Sequence, residues 1–206
     1  MASANGPSRS RDSERSIRRV GQDQQTEEFP PNDLSVDETE RAIVDEPAEW
    51  LCVFSPDGQQ LARFRGTRAT VSISDELAGR VGSYGLYGAP VLKDCTIVHN
   101  HPPEADVESF PLSPSDLLFA ITHDLSRFIV VAGRFRYELR RPGPFWPVDE
   151  IELHRLVQAH HRALNQIEGA PADTTSAYAR RNVRIFELLH QEGFADYERT
   201  ELANDD

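Results

Sequence analysis

Apolar and polar positions change period several times along the chain, and each change marks an element. Trp50-Leu51-Cys52-Val53-Phe54 is a continuous apolar run of strand length, and Ser55-Pro56-Asp57-Gly58 after it has turn chemistry. A hairpin is predicted, because Leu61-Ala62-Arg63-Phe64-Arg65 then alternates as a half-buried strand does, with Gly66 ending it. Thr70 to Ile73 supplies a third short strand, and Asp75 is placed to cap a short helix. Cys95-Thr96-Ile97-Val98 is a β-rich run that leads directly into His99. Beyond a polar, acidic loop from Pro103 to Ser109, Ser113 stands as a hydroxyl N-cap, with Pro114 at the first helical position and Asp116 in the first turn. Leu117, Leu118, Ile121 and Leu125 form the apolar stripe of that helix. Phe128 to Ala132 and Phe135 to Leu139, joined by Gly133-Arg134, read as a closing hairpin.

Residues 46–142 therefore make the expected compact domain. A two-helix extension over 148–195 follows it. The first helix starts near Asp149, with Glu152 completing a capping box and Leu153, Leu156, Val157, Leu164 and Ile167 on one face, and stops at Gly169 and Pro171. The second starts at Thr174 or Thr175, aligns Val183, Phe186 and Leu189, and ends at Gly193. Together they read as a packing element or the seat of a protein partner. Residues 196–206 form an acidic tail. Residues 1–45 are poor in aromatic and β-branched side chains, so a disordered arm is expected there, basic at its start and acidic from Asp23 to Glu46.

Charge narrows the function classes. With 34 acidic and 22 basic side chains the net charge is −12, which disfavours direct binding to nucleic acid phosphates. Only Cys52 and Cys95 occur, and no signal-peptide pattern opens the sequence, so a soluble cytoplasmic protein without disulfides is expected. No apolar run approaches membrane-spanning length. Lys93 is the only lysine, and codon bias in a GC-rich genome accounts for the excess of arginine.

The candidate chemistry lies around His99-Asn100-His101-Pro102. Two histidines flanking one residue at a strand end project to the same side, as paired metal ligands must, and neutral imidazole is the commonest zinc ligand. A carboxylate at the next helix entry can complete such a set, and Asp116 is one, with Ser113 a helical turn before it. Ser113 and Asp116 also suit a plain helix cap. Cys95 reads as a core thiol, and His123 as a helix-surface residue or a group supporting a ligand. His154, His160 and His161 read as structural or solvent-facing.

The His99-x-His101-Pro102 and Ser113-x-x-Asp116 pair resembles the motif of the JAMM/MPN (JAB-like) zinc metalloproteases, which include RadC-like and phage or bacterial JAB-domain proteins; the resemblance covers residues 49 to 142. It implies an α/β, MPN-like (cytidine-deaminase-like) mixed sheet flanked by helices, with the helical extension appended. It implies that His99, His101 and Asp116 hold Zn²⁺, that Ser113 serves the oxyanion or bound water, and that an upstream glutamate is the general base. Glu49 takes that place, with Glu46 as the competitor. The linker from Pro102 to Leu112 is longer than the family's usual spacing, which leaves Asp106 as an alternative ligand. The implied activity is hydrolysis of a peptide or isopeptide bond in a protein or peptide substrate, such as a ubiquitin-like or sulfur-carrier tag or a phage-type polypeptide in bacteria. Two other readings stand beside it: a non-catalytic JAB-fold interaction module, and a RadC-like protein associated with DNA metabolism or mobile elements.

Overall fold

A computed structural model of the chain describes residues 26–74, 77, 80–81, 86–87, 91–103, 111–170 and 174–202. In chain order the elements are β1 (Glu27–Phe29), α1 (Val36–Ile43), β2 (Trp50–Phe54), β3 (Gln60–Arg65), β4 (Arg80–Val81), β5 (Leu86–Tyr87), β6 (Thr96–Asn100), α2 (Pro114–Thr122), β7 (Arg127–Ala132), β8 (Phe135–Arg140), α3 (Glu150–Glu168), α4 (Thr175–Gln191) and β9 (Asp196–Glu201). Seven strands form one mixed sheet in the order β1-β3-β2-β6-β7-β8-β9, and β4 pairs with β5 separately. Only β6 and β7 run parallel within that sheet, and α2 is the crossover that a parallel pair requires. The fold is thus a mixed α/β sheet flanked by four helices.

Strand alternation sorts the central side chains into two layers. Leu51, Val53, Ile97, Phe128 and Val130 pack under α2, α3 and α4, in a core that Leu117, Leu153, Leu164, Ile185 and Leu189 complete. Cys52, Phe54, Val98, Ile129 and Val131 face the other way, toward Ile43 of α1. Burial on both faces explains why these strands read as continuous apolar runs. The two hairpins form where expected: Gly58 (φ 87°) turns β2 into β3, and Gly133 (φ 54°) turns β7 into β8.

Several expectations change. Part of the arm expected to be disordered is built into the fold: Glu27–Phe29 pairs with β3, and Val36–Ile43 is a helix opened by a Ser35–Glu38 capping box. Its Glu40 receives a 2.8 Å ion pair from Arg136. The two C-terminal helices are not an appendage, since they cover one face of the sheet and lead into β9, which pairs with β8 over its whole length. The stretch expected to be a tail thus begins as an edge strand. Thr70 to Ile73 belongs to neither sheet, although Val71 and Ile73 pack on the core. Leu118 (40 %) and Ile167 (79 %) are exposed, so neither lies on the buried face of its helix. Asp75, Asp106 and Pro171 lie outside the described residues. Among the described residues no helix is long and apolar enough to cross a membrane.

Candidate metal centre

The site forms where β6 ends. Antiparallel register sets Leu51 opposite His99, and continuing it by one step of the alternation sets Glu49 opposite His101. Glu49 extends the β2–β3 ladder past Trp50: its N–H donates to Thr67 O and its carbonyl accepts from Gly66 N, both at 2.8 Å. Glu49, His99 and His101 therefore share the face that carries Leu51 and Val53. Each offers one ligand atom, and these atoms all lie within 4.8 Å of one another. Gly66 makes the adjoining turn possible, because a Cβ there would sit 1.9 Å from the Thr70 carbonyl oxygen.

His99 is oriented by the backbone. Its Nδ1 lies 2.8 Å from Trp50 O, and a carbonyl can only accept, so Nδ1 carries the hydrogen and Nε2 keeps its lone pair. That is how an imidazole is commonly held for a metal. Burial, and then the neighbouring His101, lowers the His99 pKa to about 4, so the ring is neutral at physiological pH. The two rings meet edge to face at 4.8 Å. Burial, reinforced by the charge of Asp116, raises the Glu49 carboxyl to about 7. The buried, neutral His99 ring, the half-buried His101 beside it and the two carboxylates of the cavity make a donor set that a cation fits.

Asp116 and Ser113 line the same cavity of about 510 Å³ as Glu49, His99 and His101. Asp116 does not belong to the tight three-residue group, which takes Glu49 as its carboxylate. It forms the capping box of α2, where Ser113 N (2.6 Å) and Ser113 Oγ (2.8 Å) both donate to Oδ2, leaving the other carboxylate oxygen outside the cap. Helix cap and site wall are the same two residues. Glu46 lies elsewhere: it lines a separate cavity with Cys52 and Arg63 on the α1 side of the sheet. Glu49 is therefore the glutamate that the structure brings to the histidines.

Of the remaining candidates, Cys95 is a buried core thiol and takes no part in the metal-binding group. His123 is neither on the helix surface nor in the cavity, since it is buried at the C-cap of α2 with its ring 4.4 Å from that of Phe119. His160 pairs with Glu192 across α3 and α4. Compared with protein-family models, curated proteins and solved structures, the chain has no match. The site therefore has to be read from its own geometry.

The residue that sequence reasoning overlooked is Asn100. Its side chain, fully buried, points to the α1 face, opposite to the two histidines it separates. Its amide makes hydrogen bonds to the backbone of residues fifty and more positions away. Position was the available signal, since a polar residue is out of place in a strand buried on both faces.

Proposed function

We propose that this chain is a zinc-dependent hydrolase of peptide or isopeptide bonds, built on an MPN-like fold. The observation that carries the reading is the convergence of Glu49, His99 and His101 within 4.8 Å, in one cavity with Ser113 and Asp116. His99, His101 and Asp116 would hold the ion, with Asp116 using the oxygen that its cap leaves over. Proximity alone does not separate a ligand from a base, because both must reach one point. We assign the base to Glu49, because Asp116 is anchored to a helix start by Ser113, whereas burial raises the Glu49 carboxyl of the metal-free chain to about 7.

Held by His99, His101 and Asp116, Zn²⁺ would supply Lewis-acid polarisation of the scissile carbonyl and a more acidic water. Glu49 accepts the proton of the attacking water and returns it to the leaving amine. The Ser113 hydroxyl gives its hydrogen to Asp116, so it serves the oxyanion only by turning away from Oδ2. The segment from Thr70 to Ile73 lines the cavity beside the histidines. The choice of a ubiquitin-like or phage-type protein rests on the motif resemblance alone.

The test is hydrolysis under metal control. Protein stripped with a chelator is offered a proteome-derived peptide library and a glycyl-ε-lysine isopeptide library, and products are read by mass spectrometry. Cleavage is expected only after stoichiometric Zn²⁺ is restored. Cleavage that survives stripping, or none from the zinc-loaded protein, contradicts the proposal.

A further inference from the structure

The backbone ladder between β2 and β6 ends at Leu51 and His99. One residue further on, a side chain takes over from the ladder. Asn100 Oδ1 accepts from Trp50 N at 2.5 Å, while Nδ2 donates to Ala48 O at 3.2 Å and to Glu46 O at 3.4 Å. The partners fix the amide's orientation, because an N–H needs the oxygen and two carbonyls need the NH₂. Asn100 is 0 % exposed, so no water can replace it.

Two residues of the proposed metal centre depend on the backbone it holds. Glu49 lies between Ala48 and Trp50, and Trp50 supplies the carbonyl that orients His99. We propose that Asn100 is a positioning residue whose carboxamide, through the backbone of Glu46, Ala48 and Trp50, sets both the Glu49 carboxylate and the His99 ring. This inference rests on the metal-site reading above. It assigns a role to the residue between the histidines that packing alone does not demand, since Val98, its neighbour on the same strand and face, is apolar.

The test compares Zn²⁺ and Co²⁺ binding to the full chain and to two variants. Asn100→Ala should weaken Zn²⁺ affinity about 10- to 100-fold, the range for groups that orient metal ligands, and should alter the visible spectrum of bound Co²⁺. Val98→Ala, a core truncation on the same strand and face, should lower thermal stability while leaving affinity and spectrum unchanged. Asn100→Asp keeps the shape and the acceptor for Trp50 N but removes the donor, so it carries the comparison should Asn100→Ala not fold, with an intermediate loss expected. Wild-type affinity in the Asn100 variants, or an equal loss in Val98→Ala, overturns the inference while leaving the metal site standing. A wild-type chain that binds neither ion overturns the proposed function, and the inference falls with it.

Discussion

Replacing Glu49 by Gln should slow hydrolysis by about 10²- to 10⁴-fold while leaving zinc bound, because the change removes a proton acceptor without changing side-chain shape. The backbone bonds from Thr67 and Gly66 that place residue 49 are untouched by the substitution. Turnover and zinc content measured on the same preparation separate the two roles open to this carboxylate. A rate loss with metal retained makes Glu49 the base. A loss of zinc as complete as that of His99→Ala would make it the ligand instead, as its place in the tight cluster allows. Unchanged turnover would remove Glu49 from the site's chemistry altogether.

Glu138→Gln should have the largest effect on stability, about 3 to 5 kcal/mol, although it lies far from the histidines in sequence. Glu138 is fully buried in β8 and accepts from Arg127 Nε at 2.7 Å, Arg136 Nη1 at 2.5 Å and Arg140 Nε at 2.5 Å. Removing its charge leaves those guanidiniums facing one another, with Glu40 as the remaining buried acid on Arg136. Against a total stability of roughly 5–15 kcal/mol such a loss is severe. Burial pushes the Glu138 carboxyl up, but hydrogen bonds from Arg127, Arg140 and Arg136 outweigh it and hold the pKa at about 2. A pKa lower in the folded than in the unfolded chain stabilises the fold above the ordinary carboxylate range, and that contribution is lost as pH falls from there toward 2. Denaturant titrations at neutral and acid pH should therefore show the gap between wild type and Glu138→Gln narrowing on acidification. A gap that stays constant, or one below about 1 kcal/mol at neutral pH, contradicts this account.

The same ion network shows what the sequence could not display. β6, the Ser113 cap and both hairpins were legible because their signals are local: an apolar run, a hydroxyl-Pro-x-Asp start, a glycine at each turn. α1 carries a local signal as well, Ser35 followed by Glu38, but the acidic composition around it argues for disorder. What holds the helix is Ile43 against the sheet and Glu40 on Arg136, a partner 96 positions away. β9 has no clear apolar alternation and is placed by its backbone ladder with β8. At the site, the histidines and the Ser113–Asp116 pair could be found by spacing, whereas Glu49 came only from the family resemblance, because the strand register that sets it opposite His101 is not written in the sequence. Asn100 escaped because each of its partners is at least 50 residues distant. Its work is done on the face of the strand turned away from the histidines.

The proposed function depends first on His99 and His101 binding a metal ion. Zinc content and zinc K-edge X-ray absorption on the purified full chain test it most directly, beside His99→Ala and His101→Ala. The account predicts one zinc per wild-type chain, with imidazole nitrogens at about 2.0–2.1 Å and oxygen in the rest of the shell, and loss of that zinc in both variants. Protein that takes up no zinc, or whose bound zinc shows no imidazole scattering and survives both substitutions, would contradict it.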